Sequence, residues 1–564
     1  MTMNELSPSL TVSRHGQMFP TFDPAAIERF RRFGEPTSYR PGERIVAAGM
    51  PAPGLILVLS GRISVTNHGA MDKSRVIATH SAGQFMGELA QLSDRPSLVN
   101  AEAAEPVEGL VIPPRRLRDL MVQEAELGER IMRALILRRV MLLESGQTGH
   151  VIIGPAGHPD VVRLQGFLRR NAQPHQVLDP DQVSCARTLI DRFDVDEHHL
   201  PIVLCANGKL LRNPSENEIA RCIGLVRPID AEKLYDVAIV GAGPAGLAAA
   251  VYAASEGLSV INLDCRAFGG QAGASARIEN YLGFPTGISG LALMARAANQ
   301  AQKFGVEMAI PDQAHGLERR PDGCWLLNVG EGEAVRSRSV VIATGVRYRR
   351  PRVEDLAAFE GSSVHYWASP IELKLCSGTE AVLVGAGNSA GQAAVYLASQ
   401  VKRLTMLVRG PSLRASMSSY LVDRIEAQPN IEVMTGTELA RLHGRDGRLE
   451  GITWQRRGEA GRCAVHHLFL FIGADPETDW LARCSLAVDD KGFILTGGAC
   501  GAGRHALETN LPGIFAIGDV RSGSVKRVAA AVGEGAQVVT ALHAYLAGGD
   551  AQAVPAPRQA VVAL

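Results

Sequence analysis

The sequence predicts a multidomain chain of mixed helix and strand. It begins with a β-roll closed by helices and continues with a small α/β unit. It then enters a large α/β unit holding two similar nucleotide-type folds in tandem. Three observations carry this. The 564 residues exceed what one core organises, since domains usually run about 100–200 residues. Short strand-like runs punctuated by turn residues crowd the first quarter. Many of the 59 glycines cluster where strands end and helices begin, twice in one pattern, as α/β nucleotide folds require.

The first unit spans residues 20–145. Its strand-like runs are Gly54 to Leu59, Arg62 to Thr66, Arg75 to Thr79 and Val107 to Ile112, with turns at Pro41-Gly42 and Ser60-Gly61. Leu127 to Leu143 carries apolar residues at helical spacing with arginines between, which predicts an amphipathic helix able to support a dimer. The second unit spans 150–228. Strands are expected at Val151 to Ile153 and Pro201 to Leu204, and helices at Val161 to Asn171 and Glu216 to Ile223. The tail 547–564 is Ala, Pro and Val with little pattern and is expected to be mobile.

Composition narrows the function. Lys+Arg and Asp+Glu both number 58, so the chain has no electrostatic footprint for nucleic acid or an acidic membrane, and neither partner is expected. The opening MTMNELSPSL lacks the basic and apolar regions of a signal peptide. No run approaches the roughly 20 apolar residues needed to span a bilayer. Nine scattered cysteines argue against a disulfide framework, and a reducing cytoplasm is expected. No metal site is expected.

Tyr235 to Val240 reads as a buried parallel strand running into GAGPAG, with Gly241, Gly243 and Gly246. The first glycine makes the tight turn, and the second lets a pyrophosphate approach the backbone. The third lets helix and strand pack closely, and the helix N-terminus then faces the phosphates. The next strand, Leu258 to Leu263, ends in Asp264, whose carboxylate can accept from an adenosine ribose. The second copy is Ala381 to Val384 followed by GAGNSA: Gly385, Gly387, Asn388, Ser389 and Ala390. Its following strand, Arg403 to Val408, ends not in an acid but in Arg409, with Arg414 close behind. Guanidinium groups there suit a 2′-phosphate, so NADPH is expected over NADH; the alternative is a solvated pair of surface arginines.

With these motifs on the page, residues 233–546 resemble the low-molecular-weight thioredoxin reductases, a branch of the pyridine nucleotide-disulfide oxidoreductases. The resemblance is carried by GAGPAG, FGGQA (Phe268 to Ala272), IENYLGFP (Ile278 to Pro285) and ATG (Ala343 to Gly345). GAGNSA, FIGADPET (Phe471 to Thr478) and GIFAIGD (Gly513 to Asp519) complete it, all in the family's order. It implies tandem Rossmann-like FAD and NADPH domains, the FAD domain at 233–349 and 469–546 and the NADPH domain at 350–468. The ATG and FIGADPE segments would be hinges about which the NADPH domain turns. It places Gly269, Gly270, Gln271, Asn280, Thr344 and Gly345 along FAD. It also puts Gly518 and Asp519 at the ribityl chain, and Lys526, Arg527 and Val528 near the flavin. It further implies a homodimer.

One departure matters. The family carries a CxxC dithiol before the second glycine loop, and here the stretch is HYWASPIE, with Trp367 and Pro370 at the cysteine positions. No CxxC occurs anywhere in the chain. Thiol–disulfide exchange needs an attacking thiolate and a partner sulfur, so direct reduction of thioredoxin by the usual relay is in doubt. Cys376, nearby, reads as a packed small hydrophobe. No catalytic side chain is identified, as hydride transfer to flavin needs none.

The middle unit, through VIIGPAGHPDVVRLQGFLRRN and LPIVLCANGKLL, resembles the start of a glutaredoxin or thioredoxin-like fold, with Pro201 as its cis-proline. Gly157, His158, Pro159 and Asp160 stand where its cysteines would be, so docking or spacing is expected of it. The N-terminal unit, through YRPGERIVAAG, LVLSGRISV and FMGELAQL, resembles cyclic-nucleotide-binding domains. That resemblance places Gly87 and Glu88 at the opening of a phosphate cassette, Glu88 on a ribose 2′-OH and Arg95 on a cyclic phosphate. Aligned without a gap, Ser97 takes the arginine's place, and the ligand is then a cyclic nucleotide or another small molecule.

Together these readings give an NADPH-dependent FAD oxidoreductase whose acceptor is a thioredoxin-like disulfide, a ferredoxin, a quinone or a small oxidant. The alternatives are a ferredoxin- or quinone-type reductase without dithiol chemistry, and a redox or cyclic-nucleotide sensor.

Overall fold

The computed structural model describes residues 15–550 apart from 68–74, 88–90, 92–94, 146–148, 184–185, 188–189, 191–199 and positions 206, 227, 276, 331, 361 and 446. The first unit is a roll of two four-stranded antiparallel sheets. One orders Glu35–Tyr39, Val107–Ile112, Leu55–Ser60 and Phe85–Met86; the other orders Arg44–Val46, Val99–Ala103, Arg62–Asn67 and Val76–Ser81. Helix Pro24–Arg31 opens with Asp23 accepting from the Ala26 N–H and proline in its first turn, an N-cap that satisfies an otherwise orphaned donor. The long helix Ala125–Ser145 buries Leu127, Ile131, Ala134 and Leu135 against Phe30, Phe85 and Leu117. That part of the stripe is spent on the chain's own core, while Val140 further along stays exposed.

The middle unit is a four-stranded sheet ordered His175–Leu178, His150–Ile153, Ile202–Leu204 and Leu210–Arg212, its first pair parallel and the rest antiparallel. Helices Pro159–Arg170 and Glu216–Cys222 cover it through Val161, Leu164, Leu168 and Ile219. The second helix begins with a capping box between Ser215 and Glu218. The Leu200–Pro201 peptide is cis.

The large unit contains two main sheets, the first mixed and the second parallel. The first has seven strands and runs Glu307–Ala309, Val260–Leu263, Leu234–Val240, Glu333–Ile342, Trp325–Val329 and Ala314–Arg319, with Ile514–Ala516 beside the end of Glu333–Ile342. Its central strands read as near-continuous apolar runs because helices cover both faces. Helices Pro244–Ser255 and Val528–Asp550 pack through Ala249, Ala253, Val538 and Leu542. The second sheet has five parallel strands, Val364–His365, His467–Leu470, Glu380–Val384, Arg403–Val408 and Ile431–Thr435. An antiparallel meander, Thr437–Arg445, Arg448–Arg456 and Glu459–Cys463, is inserted between its strands Ile431–Thr435 and His467–Leu470. The chain leaves the first fold and returns through two short strands that pair with each other, Val346–Tyr348 and Ala474–Pro476.

The last helix runs to Asp550 and so takes in residues 547–550 of the expected tail, the rest of which lies outside the described residues. No described helix is long and apolar enough to cross a membrane.

Candidate functional site

The first nucleotide loop is built by crowding. Gly241 has φ +112°, and a Cβ there would lie 2.2 Å from the Ala343 carbonyl oxygen. A Cβ on Gly246 would lie 1.8 Å from the Gly241 oxygen, so helix and strand meet backbone to backbone. Gly243 differs: its Cβ would meet only the Gly270 Cα, at 3.9 Å. That glycine is required by no protein neighbour and leaves a cradle over the start of helix Pro244–Ser255. The helix has Gly243 as N-cap with no side-chain cap, so its first N–H groups are left for an anion.

The FGGQA segment closes the cradle. Gly269 donates its N–H to the Ala242 oxygen at 2.6 Å, and Gln271 donates to the Val346 oxygen at 2.5 Å. Asp264 sits at the strand end as expected. Its Oδ2 accepts from the Ala242 N–H at 2.9 Å, and its Oδ1 from the Arg266 and Ala267 N–H groups. Three bonds leave a lone pair of the carboxylate for a sugar hydroxyl. Burial still raises its pKa above the ordinary carboxylate value, against the pull of those three donors. Thr344 donates to the Glu477 oxygen at 2.9 Å, and Gly345 turns at φ +69°, so both lie where the chain crosses between folds.

On the far side, Gly518 is buried with φ +72° and donates to Glu534 Oε2 at 2.6 Å. Glu534 also holds Arg521. Sequence reasoning missed Glu534; an isolated acid in the Ala- and Val-rich helix Val528–Asp550 was the available signal. Lys526 reaches the Asp519 backbone oxygen at 2.5 Å, which brings those two predicted residues together. Arg527 is exposed, and Val528 starts the last helix. Asn280 is exposed in a loop whose neighbour Glu279 pairs with Arg424 of the second fold at 2.7 Å. Among the described residues, no hydrogen bond ties Asn280 itself to the first loop. Burial raises the pKa of Asp519.

The second loop repeats the first. Gly385 has φ +145° with a virtual Cβ 2.4 Å from the Phe471 oxygen. Gly387 is the N-cap of helix Asn388–Ala398, again without a side-chain cap and with open space around it. Asn388 accepts from the Ser418 N–H at 2.7 Å, Ser389 is exposed and Ala390 is buried. The two arginines part company: Arg409 is exposed, whereas Arg414 bridges Asp423 and Glu426 at 3.3 and 3.1 Å.

An aromatic cluster occupies the stretch where a dithiol would stand. Trp367 donates from Nε1 to Glu372 at 2.9 Å, and the Arg170 guanidinium of the middle unit lies 4.3 Å from the centre of its ring. Pro370 begins helix Pro370–Leu375. Cys376 is fully buried and burial pushes its thiol up to about 11, which suits packing and not reaction. In the middle unit His158 is the N-cap of helix Pro159–Arg170, accepting from the Asp160 N–H at 3.2 Å. Asp160 pairs with Arg163.

In the N-terminal unit, Glu88 lies outside the described residues. Arg95 is half-buried, and the Ser97 hydroxyl is spent on Val99. The Gln91 amide is buried with neither atom hydrogen-bonded, and its Oε1 lies 2.8 Å from where a Gly87 Cβ would be. Arg138 is buried beneath, donating to the Gly87, Phe85 and Met18 carbonyls, and burial lowers it to about 9.

Residues 235–535 match the model of the pyridine nucleotide-disulphide oxidoreductases, and residues 36–124 that of the cyclic nucleotide-binding domain. A thioredoxin reductase of Mycoplasmopsis pulmonis is 31% identical over 309 residues, 54% of this chain and 94% of the relative. One of Streptomyces clavuligerus is 31% identical over 330 residues, 58% of this chain and 98% of the relative. The crystal structure of Lactococcus lactis thioredoxin reductase superposes with a TM-score of 0.52 at 28% identity, covering 56% of this chain and 99% of that one.

Proposed function

The chain belongs to the pyridine nucleotide-disulphide oxidoreductase family, and we propose that it passes electrons from NADPH through FAD to an acceptor outside the chain, with no dithiol beside the second nucleotide loop. Its relatives make it an NADPH-dependent flavoprotein oxidoreductase of the thioredoxin reductase type, with FAD and NADPH as cofactors. Bound FAD supplies the redox chemistry, accepting hydride from nicotinamide and releasing electrons to the acceptor. The residues present fit that group. The Gly243 cradle and the uncapped helix behind it admit a pyrophosphate, and Asp264 has an acceptor left for a ribose.

In this reading Gly241, Gly243, Gly246, Gly269 and Gly270 shape the flavin nucleotide's path, and Gln271 closes it. Asp519, near Lys526, orients the ribityl chain. Gly385, Gly387 and the N-terminus of helix Asn388–Ala398 hold the NADPH phosphates. Arg409 supplies the charge for a 2′-phosphate, and Arg414 steadies the segment through Asp423 and Glu426. The observation that carries the choice of acceptor route is Trp367, which with Glu372 and Arg170 fills the dithiol position with a packed aromatic cluster.

The middle unit's strand order supports a thioredoxin-like fold. His158 serves that fold as a helix cap, so the unit docks and spaces. The N-terminal domain regulates by reading a small anionic ligand. A buried Gln91 amide without partners and the Arg138 charge beneath Gly87 support that reading.

Anaerobic titration with NADPH, of untreated protein and of protein first reduced and then alkylated at its thiols, tests the acceptor route. Equal uptake of about one NADPH per flavin, with equal quinone reduction, is expected. Greater uptake by the untreated protein would show electrons entering a disulfide of the chain and overturn it.

A further inference from the structure

Two cysteines that no motif pairs meet in the middle unit. The Cys222 thiol lies 3.1 Å from Cys205 Sγ. A disulfide is about 2.05 Å long, so about 1 Å of approach separates this contact from a bond. Both positions are held by hydrogen bonds. Cys205 follows strand Ile202–Leu204 and is pinned in a hairpin turn, its N–H on the Lys209 oxygen at 2.9 Å and its oxygen accepting from Gly208 at 2.8 Å. Cys222 ends helix Glu216–Cys222, and the Asn207 amide donates to its carbonyl at 2.9 Å.

The two residues differ in access. Cys205 is 3% exposed within the core around Ile152, Val203 and Ile219, whereas Cys222 is partly exposed. Between them and the N-terminal unit lies a cavity of ≈ 20 Å³, lined by Gly49, Pro96, Ser97, Cys205, Cys222 and Ile223. That is room for about one water, too little for an oxidant, so an oxidant meets the less buried Cys222 first. Burial pushes the Cys205 thiol up, which keeps it protonated until a sulfur beside it is activated.

We propose that Cys205 and Cys222 form a reversible dithiol–disulfide site for low-molecular-weight disulfides, with Cys222 the attacking and Cys205 the resolving thiol. The Cys222 thiolate attacks one sulfur of the small disulfide, forming a mixed disulfide and releasing one small thiolate. Cys205 loses its proton to that thiolate and attacks the Cys222 sulfur. The intramolecular disulfide forms and the second small thiolate leaves with the remaining proton. The protein dithiol is oxidised by two electrons, and the small disulfide is reduced to two thiols. Exchange of this kind needs access and a leaving thiolate and no polarising cation; the adjoining Arg221 is turned to Asp312 and Glu333. The site is independent of how the flavin passes on its electrons.

The test uses the reduced full-length protein, incubated with oxidised glutathione, blocked with iodoacetamide and digested with trypsin without reductant. Lys209 and Arg221 put the two cysteines in separate peptides. Mass spectrometry is expected to find those peptides joined, and dithiothreitol to release them. In Cys205→Ser, glutathione is expected to stay on Cys222 at a level several-fold above that in the parent protein. A parent protein in which Cys222 carries glutathione or remains alkylated, with no joined pair, overturns the proposal. So does Cys205→Ser protein holding no more adduct than the parent.

Discussion

Gly243 and Gly246 stand three residues apart in one glycine motif, yet a methyl group should separate their effects. On Gly246 it would sit 1.8 Å from a carbonyl oxygen, and the strand–helix contact would have to open. On Gly243 it would meet no protein atom closer than 3.9 Å. Gly243→Ala is therefore expected to keep the parent melting temperature as apoprotein and to lose flavin affinity at least tenfold. Gly246→Ala is expected to lose several kcal/mol of stability, the scale of overpacking against rigid backbone. Flavin retained on dialysis, beside apoprotein melting curves, separates the two. These residues were legible in the sequence because each glycine answers to a local steric demand. Glu534 under Gly518 and Arg170 over Trp367 were not, because their partners lie on elements that meet only in the folded chain.

Strands and helices were legible where burial imposes a period. The strand Arg403–Val408 and the strand Val107–Ile112 fall where their apolar runs place them. The stripe of helix Ala125–Ser145 was equally plain, but periodicity gives the apolar face and not what covers it. The pairing of Val364–His365 with His467–Leu470 was not anticipated, since parallel strands far apart in sequence share no local signal. It sets two buried histidines together, His365 Nε2 and His467 Nδ1 at 3.3 Å. Burial first, and then His467, lowers His365 to about 3; burial, with His466 beside it, lowers His467 to about 4. An unfolded histidine titrates near about 6.5. Between those values the unfolded chain binds more protons, so stability is present above about pH 6.5 and is lost as pH falls toward about 4 and 3. The melting temperature is expected to drop from pH 7 to pH 5, and His365→Gln to flatten that slope. Equal slopes in calorimetry would remove His365 from the account.

At the scale of the molecule, each unit has its own core, and the seams between units include ion pairs, small-residue contacts and the Arg170–Trp367 stack. Arg266 pairs with Glu216, Arg221 with Asp312, and a Cβ on Gly224 would lie 2.5 Å from Pro96. Composition gave three units but no seams, because a seam depends on which surfaces meet. The passage between the nucleotide folds is a seam of another kind. Two backbones cross it side by side, Val346–Tyr348 bonded to Ala474–Pro476 and flanked by Arg347–Asp479 and Arg349–Asp475 ion pairs. In mechanical terms it is a ribbon, stiff to stretching and to splaying and soft only to torsion about its length. A ribbon of two threads also survives the loss of one. A protease nick in either strand should give two fragments in denaturant, yet one particle with its flavin under native conditions.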